Sequence, residues 1–152
     1  MNPLKNFKVQ GVALIAVFMF IIFMPLRYVY NVYEYSAYTD MFGEVYMPGW
    51  QIVFPFILII KLLIMLYGVF AGYSLLKLNQ KAIIHTKRYL LIKFTFSLIE
   101  VLVLIAPKEQ YASQIFHSTR LSLIPSFVYF LFFWFYFTKS NYVKSVFKFS
   151  KK

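Results

Sequence analysis

The sequence predicts an all-α integral membrane protein: a bundle of four transmembrane helices with both termini in the cytoplasm. Three observations carry this. Of 152 residues, 61% are apolar and only 14% charged, with 19 Phe and 13 Tyr; an ordinary soluble domain has about 25% charged residues. The mean hydropathy is +0.68, more apolar surface than a soluble fold of this size can hide, and the reverse of a disordered composition. The chain offers four stretches near the length of about 20 residues that a helix needs to cross the hydrocarbon layer. Its basic residues cluster on alternate connecting segments.

The first span covers about residues 9–26 and has no charge. The second, about 51–76, is interrupted only by Lys61. The third, about 89–107, contains Lys93 and Glu100. The fourth, about 121–138, again has no charge. Runs such as 56–60 and 130–137 are apolar on every side, whereas strands of a membrane barrel alternate apolar with polar residues. No internal repeat relates the spans, which argues against an inverted-repeat transporter.

Charge placement orients the spans. The N-terminal flank, the second connection and the tail together hold eleven bases and no acid: Lys5 and Lys8; Lys77, Lys81, Lys87 and Arg88; Lys139, Lys144, Lys148, Lys151 and Lys152. The first and third connections hold Arg27, Lys108 and Arg120 against Glu34, Asp40, Glu44 and Glu109. The positive-inside rule then puts both termini in the cytoplasm. The net charge of +11 reads as this orientation signal plus contact with anionic lipid, not as a nucleic-acid interface. The N-terminus has a basic start and an apolar run but no A-x-A-type cleavage site, so a retained first span is expected.

The connection over residues 27–50 is expected to be the longest external loop. Tyr28, Tyr30, Tyr33, Tyr35, Tyr38, Tyr46 and Trp50 suit a belt at the headgroup layer, where an amphipathic ring has one end in acyl chains and the other in water. A docking face for an external partner is the alternative. The tail alternates Val143, Val146, Phe147 and Phe149 with Lys144 and Lys148; as a helix it would lie along the inner surface.

Three ionisable residues stand at membrane depth: Lys61, Lys93 and Glu100. Each costs about 2.5–3.5 kcal/mol at a helix centre, so such residues usually face the protein and have a partner. At about 1.5 Å of rise per residue, Lys61 lies roughly 15 Å below the outer end of its span and Glu100 roughly 10 Å below its own. Matched depth and opposite charge predict a Lys61–Glu100 ion pair. Lys93 is five residues from Arg88 and is expected to snorkel towards the inner interface. Gly68 and Gly72 form a GxxxG pattern on the same stripe as Lys61, suited to close helix packing within the chain or, alternatively, to a homodimer seam. The rings of span four, from Phe127 to Phe137, surround the helix and suit lipid.

Several chemistries are excluded. The absence of Cys rules out thiol redox chemistry and Cys-ligated metal. His85 and His117 are expected in loops on opposite faces, so they share no metal. The first span lacks the essential Glu of small multidrug exporters, and no P-loop, GxSxG or HExxH pattern occurs. No cofactor and no metal are expected.

One stretch carries a resemblance. Tyr136-Phe137-Thr138-Lys139-Ser140-Asn141-Tyr142-Val143-Lys144, with Phe147 following, resembles the closing motif of the YdgK-like bacterial inner-membrane family (domain of unknown function 2569). Gly11 at the start of span one, Pro25-Leu26 at its end, the four spans and the length agree. The sequence departs at Tyr142, where the family tends to have Arg, and opens span one with Gly-Val rather than Gly-Trp. The resemblance implies a four-helix protein of the bacterial inner membrane and brings no known activity and no catalytic residues.

The expected function is that of a non-catalytic accessory or assembly protein, acting through contacts with the bilayer, with a membrane protein partner or with a second copy. A small proton- or solute-conducting protein using Glu100 and Lys61 is the alternative.

Overall fold

In the computed structural model, the described residues are 11–42, 50–79, 81–105 and 112–148, and they contain helices and no strand. Within those helices, the side chains of Glu34, Tyr35, Tyr142, Lys144, Phe147 and Lys148, and those of residues 37–42, 50–54, 103–105 and 112–123, lie outside the description.

Helix α1 runs on without a break from Val12–Phe18 through a π-helical segment, Met19–Phe23, to Met24–Phe42. The sequence reading ended this helix at Pro25-Leu26 and placed residues 27–50 in a loop. The helix instead continues, and the reason is local. A proline inside a helix has no N–H to give and crowds the carbonyl four residues back. Here the turn immediately before Pro25 is widened into the π-helical segment, a recognised way of inserting a residue without ending the helix. Arg27, Tyr28, Tyr30 and Tyr33 are therefore helical. Trp50 and Tyr35 are helical too, with side chains outside the described residues.

Helix α2 is Trp50–Leu76 and helix α3 is Ala82–Ile105. The turn between them is tight. Leu78 adopts a φ of 50°, and the Leu78 and Asn79 amides donate back to the carbonyls of Leu75 and Ser74, which closes the carbonyl end of α2 in the manner of a left-handed cap. Asn79 then opens α3: its Oδ1 accepts from the Lys81 amide at 2.9 Å and its carbonyl accepts from Ala82. Helix α4 is Ala112–Lys139, so His117 and Arg120 are helical rather than in the loop the sequence reading gave them. Helix α5 is Asn141–Lys148, with the Ser140 Oγ accepting from the Val143 amide at 3.4 Å as an N-cap.

The buried core is gathered at one end of the bundle, beside the α2–α3 turn. Ala16, Val17 and Phe20 of α1 meet Ala71 and Leu75 of α2, Ala82, Tyr89 and Leu90 of α3, Phe133 and Phe137 of α4, and Val143 and Val146 of α5. Phe20 is its hub, with its ring edge-on to Tyr89 at 4.9 Å and tilted against Phe133 at 6.2 Å. The two glycines make this closeness possible. A Cβ on Gly68 would lie 2.7 Å from the Tyr89 ring, and one on Gly72 would lie 2.8 Å from Ile21 and 3.0 Å from Phe20. One glycine thus admits α3 and the other α1. This face is filled from within the chain and has no room for a second copy, so the homodimer seam is not on the glycines.

Two helical stretches, Val12–Tyr33 and Pro55–Leu76, are long and apolar enough to cross a membrane. Each is only 22% buried within the chain, and the exposed remainder includes Leu14, Ile15, Phe18, Leu63, Leu66 and Phe70. A core helix of a soluble protein would bury most of this surface. Large exposed apolar faces mark contact with a membrane or with another protein.

Candidate functional site: a charged cavity beside the core

Beyond the core, on the side away from the α2–α3 turn, the four long helices surround a cavity of about 650 Å³. That is within the range of about 300–1,000 Å³ typical of small-molecule sites. Its position follows from helical spacing. Met24, Arg27, Tyr28 and Asn31 of α1 line it, and offsets of three, four and seven put them on one face. Lys61, Ile64 and Met65 come from α2, while Tyr89, Lys93, Phe96, Ser97 and Glu100 come from α3 in the same periodicity, and Ser126 comes from α4. Tyr89 belongs to both regions: it lines the cavity and is a member of the core, only 1% exposed.

The structure brings Lys61 and Glu100 together, with Nζ and Oε1 2.5 Å apart and each side chain 14% exposed. A charge-assisted contact of this kind is among the strong hydrogen bonds. It joins α2 to α3 across the cavity wall. Tyr28 links α1 to α2 by donating to the Leu58 carbonyl at 3.4 Å.

Lys93 does not snorkel towards Arg88 as the sequence reading had it. Its Nζ lies 3.4 Å from the Met24 Sδ and 4.3 Å from the centre of the Tyr129 ring, on the cavity wall. The face of Tyr129 and the cavity beside it give the ammonium a closer refuge than the helix end. These contacts compensate only part of its cost. A cation on a ring face gains about 0.5–2 kcal/mol, the upper figure when desolvated. Withdrawing an ammonium from water costs several kcal/mol. Arg27, exposed on α1, is close enough to repel it. Among the described residues, the cavity therefore holds three cations, Arg27, Lys61 and Lys93, against the one carboxylate of Glu100.

Other predicted residues are placed elsewhere. Tyr30 lines the cavity wall yet remains largely exposed, as does Tyr33. Both stand on α1 rather than in a loop. Lys139 lies over the Phe135 ring at 5.6 Å, and Lys87 lies 5.5 Å from the Trp134 ring. Lys144 and Lys148 have side chains outside the described residues. His85, expected in a loop, is in the first turns of α3, its Nδ1 3.2 Å from the Tyr67 hydroxyl and its ring 5.1 Å from that of Phe70. Among the described residues, no group of His, Asp and Glu could hold a metal ion.

Arg27, Asn31, Tyr89, Ser97 and Ser126 are the polar cavity residues to which sequence reasoning gave no role in a site. For the first four the signal is present in the spacing of 24, 27, 28 and 31, and of 89, 93, 97 and 100. The first set was hidden by reading Pro25-Leu26 as a helix end.

In comparison with known proteins, no family model matches the chain, no curated protein matches its sequence and no solved structure matches its fold.

Proposed function

We propose that this chain is a non-catalytic, four-span protein of the bacterial inner membrane, with both termini in the cytoplasm, that works by binding a polar group in a one-sided vestibule. One observation carries this reading: a charged cavity among the four long helices adjoins an apolar plug formed by Phe20, Tyr89, Leu75 and Phe133. With the termini and the α2–α3 turn inside, as the eleven bases of those segments favour, the plug lies at the cytoplasmic end and the vestibule in the outer half. The resemblance of the motif from Tyr136 to Lys144 to the YdgK-like family is in keeping with this setting.

Charged residues inside a membrane bundle mark functional sites by default. Lysines, an arginine, hydroxyls and a paired carboxylate form a receptor for a polar ligand. They make no triad and no pair of free carboxylates for acid–base work among the described residues. An accessory role follows: the protein holds a ligand or a partner's polar group within the bilayer. Conduction through Glu100 and Lys61 has less support. A proton or solute path needs polar groups along the whole axis, and Ala16, Phe20, Ala71, Leu75 and Phe137 occupy the inner part.

The absence of native Cys permits a direct test. Single variants Asn31→Cys, Ser97→Cys and Ser74→Cys are made in the full chain in cells and in inverted vesicles, and treated with a membrane-impermeant maleimide. The vestibule reading expects Asn31→Cys and Ser97→Cys to react from the outer face and Ser74→Cys, whose parent side chain is 3% exposed, from neither. Reaction of Ser97→Cys from the cytoplasmic face alone, or from neither face, refutes it.

A further inference from the structure

The vestibule has two kinds of wall, and together they specify more than a polar ligand. One part is cationic: Lys93, Arg27 and the Lys61–Glu100 pair, with three positive groups against one negative among the described residues. Lys93 is the distinctive member. Its ammonium contacts a thioether and a ring face, with no carboxylate partner among the described residues. Arg27 adds a planar fork of donors suited to oxyanions. The other part is apolar: Phe23, Leu26, Ile64, Met65 and Phe96 line the same cavity.

A small hydrated anion needs the first wall and is repelled by the second. A neutral apolar molecule needs the second and leaves the ammonium uncompensated. A molecule with an anionic head and a hydrocarbon tail satisfies both. The position agrees, because the cavity is flanked by helices whose outer faces are exposed and apolar, such as Val29, Ile60 and Ile99.

Resting on the vestibule reading, we propose that the cavity binds an anionic phosphate-bearing amphiphile, with its phosphate held by Lys93 and Arg27 and its chain against the wall of Phe23, Ile64 and Phe96. The Lys61–Glu100 pair sets the charge balance: Glu100 neutralises Lys61, which leaves the two positive charges of Lys93 and Arg27 to face the anionic head.

The test uses the full chain purified in a neutral detergent and three probes: short-chain phosphatidylglycerol, short-chain phosphatidylcholine and inorganic phosphate. Binding is read by thermal shift and by direct titration. The expected result is saturable binding of phosphatidylglycerol, with phosphatidylcholine at least about tenfold weaker, since its quaternary ammonium is repelled by the surplus cations. Inorganic phosphate is expected to give no saturation over the same range. Lys93→Met and Arg27→Gln are each expected to weaken phosphatidylglycerol binding by about tenfold or more, the loss of one charge-assisted contact. Lys77→Gln and Lys139→Gln, on the basic flanks, are expected to leave it within about twofold. Arg27, exposed on α1, keeps the test valid even where Lys93→Met does not fold.

Equal binding of phosphatidylcholine overturns the charge selection. Saturation by phosphate alone makes this a small-anion site and overturns the amphiphile. Equal losses in the flank variants reduce the effect to general attraction of lipid to a basic protein and overturn the site. The labelling of Ser97→Cys separates the two levels. Outer-face labelling without lipid selectivity leaves the vestibule and removes its ligand, whereas no labelling removes both.

Discussion

Breaking the Lys61–Glu100 pair from its two sides is expected to cost different amounts. The contact length of 2.5 Å and the 14% exposure of each side chain describe a pair that is mostly but not wholly withdrawn from solvent. Removing one partner of a buried pair costs about 3–5 kcal/mol; the adjoining cavity admits some screening, which places this pair at or just below that range, at about 2–3 kcal/mol. Glu100→Gln leaves Lys61 in a cavity with Lys93 and Arg27, raising the local surplus from two positive charges to three. Lys61→Met leaves Glu100 facing the same two cations, and Lys93 is two helical turns away on the same face, about 10 Å. The surviving carboxylate therefore keeps partial compensation, whereas the surviving lysine gains a further repulsion. Glu100→Gln is expected to be the worse variant by about 1 kcal/mol or more, and the double variant is expected to recover about 2 kcal/mol relative to the sum of the two losses. The assay is equilibrium unfolding in mixed micelles of increasing sodium dodecyl sulfate, read by helicity and by tryptophan fluorescence. Additive losses within about 0.5 kcal/mol refute the direct pairing. A larger loss in Lys61→Met than in Glu100→Gln refutes the charge balance assigned to the cavity.

Gly68→Ala is expected to destabilise by about 1–3 kcal/mol as an overpacking change, because the Tyr89 ring that it meets is itself buried against Phe20; the same unfolding assay checks this. Gly72→Ala meets Ile21 and the Phe20 Cβ and is expected to lose a similar amount, with no change in oligomeric mass by light scattering. Ser140→Ala removes the N-cap of α5 and is expected to cost about 0.5–1 kcal/mol, seen as faster proteolysis of the tail before any change in the bundle.

The helix over residues 51–76 was legible because length and apolarity alone determine it, and it ends at Leu76 as read; the next helix begins at Ala82, ahead of the span read from about residue 89, because His85, Lys87 and Arg88 lower the apolarity of its first turns. The Lys61–Glu100 contact was legible too, since charge at membrane depth has few places to go and rise per residue fixes the level. Arg27 was not legible. Its helix continues past Pro25 with Met19–Phe23 widened into a π-helical turn just before it, and a π-helical turn has no residue signature comparable to a cap or a proline. Lys93 was misjudged for a different reason. Snorkelling weighs one helix against the bilayer, but the deciding partners, Met24 and Tyr129, come from two other helices. The direction of Gly68 and Gly72 was equally a tertiary matter, as a small-residue pair shows that something approaches closely and not what approaches.

The placement of the core explains how so charged a cavity can be tolerated. Withdrawing an ionisable group from water costs several kcal/mol, and the four surplus or paired charges of the cavity would strain a fold whose packing was spread evenly. Here the close contacts are concentrated: the glycines, the Phe20–Tyr89 edge contact and the Val143 and Val146 anchors of α5 all lie beside the α2–α3 turn. Around the cavity, among the described residues, α1 and α2 are joined to their neighbours chiefly by polar contacts, the ion pair and the Tyr28 hydrogen bond to Leu58, while the Phe94 ring stacked on Phe130 at 4.8 Å ties α3 to α4. A bundle clamped at one end can open at the other without losing its core, and Tyr89, shared by both regions, is the point at which a change in the cavity would reach the clamp. Tyr89→Leu is therefore expected to affect two readouts at once. It removes the ring that Gly68 accommodates, lowering stability by about 2 kcal/mol or more as a large-to-small core change. It also deepens the vestibule floor, making Thr86→Cys, one turn away on the same face of α3 and fully buried in the parent, accessible to the outer-face maleimide. Loss of stability with Thr86→Cys still protected would show that Tyr89 is packing alone and that the floor lies elsewhere.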